Sequence, residues 1–210
     1  MDSTQRKILN AAGEVFAEHG YKAATVRDIC KRAEVNNIAA VNYYFGDKEK
    51  LYQAVVQLSF QGSVDAALVP TFPPEATPVE KLRLFIRQFA ATILGGQRPV
   101  WHMQIMGREL SQPSDACMAF VRDFVKPHQQ TLLMLLTKCL PPRTSARKKN
   151  LIALSIVGQI VHHRCARTII TQIVGPEEAE TYTAEVVGDH VADFALRALG
   201  LSPERAETRS

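Results

Sequence analysis

Residues 36–51 read NNIAAVNYYFGDKEKL, and the interpretation of this stretch decides the fold. It follows a short helical pattern over 25–33 and a tight turn, and it closes on an aromatic cluster, a Gly-Asp break and a lysine. A helix backed by apolar residues, with Asn and Tyr on its other face, suits insertion into a DNA groove. Asn hydrogen-bonds base edges, Tyr hydroxyls reach phosphate oxygens, and small Ala residues permit close approach. The plainer alternative makes Tyr43, Tyr44 and Phe45 core aromatics at a helix end. That alternative suits Phe45, whereas Asn42, Tyr43 and Tyr44 read as contact residues.

Upstream, Asp2-Ser3-Thr4 can cap a first helix whose apolar residues Ile8, Leu9, Ala12, Val15 and Phe16 recur at helical spacing, and Gly20 ends it as a left-handed C-terminal cap. Thr25 reads as the N-cap of a second short helix with Asp28 three residues on and Val26, Ile29 and Cys30 facing inward. Asp47 caps a fourth helix with a buried stripe of Leu51, Tyr52, Val55 and Leu58. Residues 69–78, VPTFPPEATP, carry four prolines and form a linker or loop. Beyond it, helical patterns cover 79–94, 100–110, 115–140, 145–173 and 176–199, with Pro127 expected to kink the third near Lys126. No stretch alternates like a half-buried strand. The tail after Gly200 is polar and reads as disordered.

With 210 residues the chain can bury a substantial core. Its net charge of +4 permits a polyanionic partner without requiring one, and residues 1–50 hold eight Lys/Arg against seven Asp/Glu. Any DNA affinity must come from the placement of charge. The N-terminus lacks an apolar segment behind basic residues and no apolar run approaches a membrane span, so a cytoplasmic protein without membrane contact is expected. Cys30, Cys117, Cys139 and Cys165 are scattered without zinc-ligand spacing and read as buried reduced thiols. No cofactor is implied.

The last two long patterns decide the assembly. Leu151, Leu154, Val157, Ile160 and Val161 accompany Ala153 and Gly158 in one; Val186, Val187, Val191, Phe194, Ala195 and Leu199 accompany Ala184, Gly188 and Ala192 in the other. Such broad apolar surfaces with small residues let helices pack on more than one side, which fits a homodimeric bundle formed with a symmetry mate. The alternative places both helices wholly inside one monomer's core.

A helix, a turn helix, a recognition helix and a helix opening with lysine, all within the first fifty-odd residues, resemble the TetR family of transcriptional repressors. The resemblance rests on Ile8, Ala11, Ala12, Phe16, Gly20, Tyr21, Ala24, Thr25, Ile29, Ala33, Val35, Tyr43, Phe45, Lys48, Glu49 and Leu51 together. The form NIAAVNYYFGDKEKLY is similar to the CecR-like branch, as are Arg108-Glu109-Leu110 with Pro113, residues 125–127, and Gly158-Gln159 with Arg164 and Ala166-Arg167. Two departures stand out. The usual Ala-Gly-Val turn is Ala33-Glu34-Val35, which calls for a different turn or a non-Gly residue at positive φ, and one extra Asn, Asn36 or Asn37, lengthens the turn.

The resemblance implies an all-α protein, with an N-terminal three-helix helix-turn-helix DNA-binding domain over 1–50, a connecting helix over about 48–67, and a larger effector-binding and dimerisation domain over 68–200. It implies phosphate contacts from Thr25, Tyr43, Tyr44 and Lys48, a base or phosphate contact from Arg27, and base edges facing Asn37, Ala39, Ala40 and Asn42. The partners it implies are a palindromic double-stranded DNA operator, a small organic effector and a second copy of the chain. Candidate effector contacts are Trp101, His102, Met106, Arg108, Phe124, Gln159, His163 and Arg167. The plainer readings are a packed core for Met106 and Phe124, and an ion-pair network for Glu109 with Arg164 and Arg167. His162 and His163, adjacent on a helix, diverge by about 100° and cannot share one metal ion.

Two other classes compete with a ligand-responsive repressor: an all-helical small-molecule-binding enzyme, and an adaptor without DNA affinity. No nucleophile sits beside a His and an acid in a recognisable motif, and no phosphate-cradling Gly loop occurs. The near-neutral head favours the adaptor; the motif favours the repressor.

Overall fold

The computed structural model describes residues 2–35, 37–61, 71–96 and 98–201, and these are helical without a strand. Calls on Asn36, on the end of the fourth helix and on the tail from 202 lie outside the described residues. The chain forms two compact units, Met1–Ala66 with Gln97–Asp123, and Ala67–Gly96 with Phe124–Ser210.

The first unit contains α1 (Ser3–Ala23), α2 (Val26–Arg32), α3 (Ala39–Phe45), α4 (Lys48–Gln61), α6 (Val100–Ser111) and α7 (Asp115–Phe120). Asp2 caps α1 by accepting from the Thr4 N–H at 2.9 Å. Ile8, Leu9, Ala12, Val15 and Phe16 form its buried stripe, each large member contributing about 1.5–3 kcal/mol. Gly20, at φ 77°, interrupts the helical geometry where the sequence places a left-handed glycine, although helical hydrogen bonding resumes to Ala23. A Cβ on Gly13 would lie 2.5 Å from the Trp101 ring, so this glycine permits α1 and α6 to meet.

Between α2 and α3 the absent glycine is replaced by a non-Gly residue at positive φ. Glu34 sits at φ 55°, while Val35 N–H donates to Cys30 O and Glu34 N–H to Lys31 O. This pair of bonds closes a Schellman turn with glutamate in the left-handed position that glycine ordinarily fills.

The second unit contains α5 (Pro78–Leu94), α8 (Lys126–Cys139), α9 (Ala146–Cys165), α10 (Arg167–Val174), α11 (Pro176–Thr181) and α12 (Ala184–Ala198). Thr77 and Glu80 form a reciprocal capping box at the start of α5, with Pro78 in the first turn. Leu82, Phe85, Ile86, Leu132, Leu136, Ile156, Ile160 and Val191 supply the core. Gly188 brings α12 close to α5: a Cβ there would lie 3.0 Å from the Ala90 Cβ. Arg83 pairs with Asp193, and Arg87 with Asp189 at 2.9 Å, across the same two helices.

Three long patterns are divided. The 115–140 pattern becomes α7, a π-helical turn (Val121–Val125) and α8, because Pro127 cannot donate a backbone hydrogen bond and its ring crowds the preceding turn. The 145–173 pattern breaks at Ala166, which adopts φ −103°, ψ 15° without any local helix-breaking residue. The 176–199 pattern divides at Thr183, whose side chain caps α12 by accepting from Val186 N–H at 3.2 Å. The thiols also depart from uniform burial: Cys30 and Cys117 are buried, Cys139 is half-buried and Cys165 is exposed.

Candidate functional site

Helix α3 has one inward anchor, Val41, which is fully buried. At about 100° per residue, Ala39 and Tyr43 point to the opposite side, and Ala40 and Asn42 lie on the two flanks. Asn42, Ala39 and Asn37 are exposed, and Ala40 is half-buried. Tyr43 is 83% exposed and lies edge-on to Tyr44 at 5.0 Å. An aromatic ring held this far into solvent makes no contribution to a core. Phe45 is half-buried, in line with its assignment as packing rather than contact.

Several expected contacts already have partners within the first unit. Asn37 Oδ1 accepts from Ala39 N–H at 2.9 Å, at the start of α3, and its amide NH₂ is left as the side chain's donor group. The Thr25 hydroxyl accepts from Asp28 N–H and donates to the Asp28 carboxylate, fixing the start of α2. Tyr44 donates to Asp2 Oδ2 at 2.8 Å; the Thr4 N–H and this bond hold the Asp2 carboxyl below its usual range, and the same bond pushes the Tyr44 hydroxyl up. Lys48 Nζ sits 4.7 Å from the centre of the Tyr21 ring. Arg27 is exposed.

The charge balance of the head looks different in three dimensions. Arg32 pairs with Glu14 and Glu18, and Lys50 with Asp47. Those pairs absorb three carboxylates with two cations, while Arg6, Lys7, Lys22, Arg27 and Lys31 remain at the exposed surface. A nearly neutral composition therefore leaves a cationic excess outside the ion pairs. Phosphate attraction depends on that local excess.

A buried polar cluster fixes the helices behind this surface. Glu109, only 1% exposed, accepts from the Tyr52 hydroxyl at 2.5 Å and from the Ser114 N–H and hydroxyl at 2.9 and 2.8 Å. It joins α4, α6 and the α7 cap. Burial and then Glu109 push the Tyr52 hydroxyl well above its ordinary value, so it remains a donor. The sequence signal is an acid at helical spacing from Trp101, Ile105 and Met106, on what is otherwise a core face.

The expected effector contacts fall in both units. Trp101, His102 and Met106 are buried in the first, and Arg108 directs Nη1 and Nη2 to the Phe16 and Ala17 carbonyls at 2.7 and 3.2 Å, satisfying the end of α1. In the second unit, Phe124 O meets His128 Nδ1 at 2.9 Å and Gln159 donates to Ser155 O. His163 and Arg167 line a cleft with Leu94, Ile170, Thr171, Ala179 and Tyr182. No group of three or more His, Cys, Asp or Glu side chains among the described residues is arranged to hold a metal ion.

Comparison with known proteins bears on both units. Residues 8–55 match the family described as bacterial regulatory proteins, tetR family, and residues 78–200 match the C-terminal domain of the HTH-type transcriptional dual regulator CecR. A 55-residue stretch is 42% identical to the HTH-type transcriptional repressor AcnR of Corynebacterium efficiens, covering 26% of this chain and 29% of that protein. A 53-residue stretch is 38% identical to the HTH-type transcriptional regulator UidR of Escherichia coli, covering 25% of this chain and 26% of that one. Among solved structures, a TetR-like regulator from a Rhodococcus species superposes with a TM-score of 0.61 at 21% identity over 95% of this chain and 97% of that one. The transcriptional regulator FadR of Bacillus subtilis, solved in complex with stearoyl-CoA, gives 0.61 at 21% identity over 94% and 98%.

Proposed function

The chain belongs to the TetR family of bacterial transcriptional regulators, in the CecR-like type, and on that premise we propose that it is a dimeric repressor released from a palindromic operator by a small organic effector. The observation that carries this reading is α3: a short helix anchored by Val41 that presents Asn42 and a Tyr43 ring to solvent. Asn42 and the Asn37 amide NH₂ read base edges, Ala39 and Ala40 meet thymine methyls, and Tyr43 and Lys48 meet phosphate. Thr25 and Arg27 hold the backbone at α2. Tyr44 acts through its bond to Asp2, orienting α3 against the start of α1, and is available to a phosphate only on release of that bond.

Dimerisation is supported by the outer faces of the last long helices. Leu151 and Leu154 on α9 are 56% and 59% exposed, and Val186 and Phe194 on α12 are 51% and 56% exposed. Their spacing puts each pair on one side of its helix, and a second copy would cover these apolar stripes. Leu154→Glu is expected to shift the chain from dimer to monomer in size-exclusion chromatography with light scattering. A dimer unchanged by this substitution would place the interface elsewhere.

The test of operator binding is a gel shift against the DNA upstream of the chain's own coding region, repeated across salt. A sequence-specific shift that weakens with salt is expected, and Tyr43→Ala should weaken it on every DNA sequence. Absence of binding at low salt would favour the adaptor.

A further inference from the structure

The inward face of α9 runs Ala153, Ile156, Ile160, all buried, and helical spacing carries that face one turn further to Arg164. This helix packs against α5, α8 and α12, and the half-buried Arg164 stands at the end of the face that does so. Its Nε and Nη2 are buried and have no hydrogen-bond partner among the described residues. Burial depresses the guanidinium pKa, Cys165 opposes that shift, and the nearby like charge of Arg167 adds to it. Arginine nevertheless stays protonated in proteins, so the second unit holds a half-buried cation, two of its donors shut off from solvent, that no carboxylate of the described residues neutralises.

The two orphan atoms are chemically specific. Nε–H and Nη2–H lie on one edge of the planar guanidinium, and this edge makes the parallel two-bond pairing with the two oxygens of a carboxylate. A water molecule could satisfy one of these donors but would leave the charge uncompensated. His163 and Arg167, on either side of Arg164 in the chain, line a cleft whose other members include Leu94, Ile170 and Tyr182. Arg164 does not itself line this cleft, which lies beside the end of α9 and is cationic at Arg167 and largely apolar elsewhere.

We propose that the Nε/Nη2 edge of Arg164 is a carboxylate receptor in the second unit, and that the effector is an amphipathic carboxylate whose apolar body packs among the helices that meet α9. This rests on the ligand-responsive reading and specifies its ligand class. The carboxylate completes a charge-assisted pair that the chain itself leaves open. Arg167 adds to the attraction without contacting the same two oxygens. A neutral ligand of the same shape gains the apolar contacts only.

The proposal is tested on the full chain without DNA, by calorimetric titration with sodium octanoate and 4-phenylbutyrate, each compared with its neutral alcohol. Each acid should bind about tenfold or more tightly than its alcohol, as a charge-assisted pair implies. Arg164→Met should abolish that preference while retaining weak binding of the alcohols. Arg164→Lys, which keeps the charge but lacks the two-donor edge, should retain only part of it. The unliganded Arg164→Met chain should also melt at or above the wild-type temperature, because it no longer buries an unpaired charge. Failure of both acids to outbind their alcohols, an acid preference that survives Arg164→Met, or a clear drop in the unliganded melting temperature would overturn the proposal. Because no DNA is present, this result is independent of the gel shift: a chain that binds the acids but no operator would contradict the regulator reading alone.

Discussion

Glu109 in the first unit and Arg164 in the second are both charged residues on the core side of a helix, and they have been treated in opposite ways. Glu109 accepts hydrogen bonds from Tyr52 and twice from Ser114, whereas two donors of Arg164 have no acceptor among the described residues. A buried charge whose hydrogen bonds are met within the chain ties helices together. One whose hydrogen bonds are unmet destabilises the free protein and is explained by a ligand that completes it. The first arrangement suits a rigid reading head and the second suits a unit that must respond.

Removing each charge should therefore have opposite effects. The largest is expected for Glu109→Ala, which strands the Tyr52 hydroxyl and both Ser114 donors and should cost about 3–5 kcal/mol in chemical denaturation. A change below about 1 kcal/mol would mean that the head does not depend on this cluster. Arg164→Met should move the other way, raising the stability of the unliganded chain by about 1–2 kcal/mol as a buried charge gives way to an apolar side chain. The same sign for both substitutions would remove the distinction.

The smallest effect is expected at the exposed Asp2–Tyr44 pair, which lacks the burial common to the other two. The Thr4 N–H and the Tyr44 hydroxyl lower the folded-state pKa of Asp2. Its contribution is therefore present above the pKa of an unfolded aspartate and is lost as pH falls through the lower folded value. Thermal unfolding of Tyr44→Phe and wild type should differ slightly at neutral pH and converge in acid. A difference that grew toward low pH would contradict the assignment of Asp2 as the ionised acceptor.

What the sequence revealed, and what it did not, follows the range of the forces involved. Asp2, Thr25 and Asp47 act on backbone groups two or three residues away, so their caps are visible in the local pattern. Gly20 is visible for the same reason, and the missing glycine at position 34 correctly raised the alternative of a strained non-Gly residue. The break at Ala166 has no local marker, and nothing in the structure explains it. Glu109 finds Tyr52 across 57 residues of sequence, a pairing that no helical spacing announces. Of the candidate contacts, Asn42 and Tyr43 follow from the periodicity set by Val41. The bond of Asn37 to the Ala39 N–H is local, whereas that of Tyr44 to Asp2 joins chain positions that only the folded head brings together.

Footprinting the purified chain on the DNA upstream of its own coding region shows whether this head reads a two-fold operator. Protection of two inverted half-sites about 34–36 Å, one helical turn, or a multiple of that apart is expected, with protection lost together at both half-sites in Tyr43→Ala. Uniform, sequence-independent protection, or none at low salt, would contradict it.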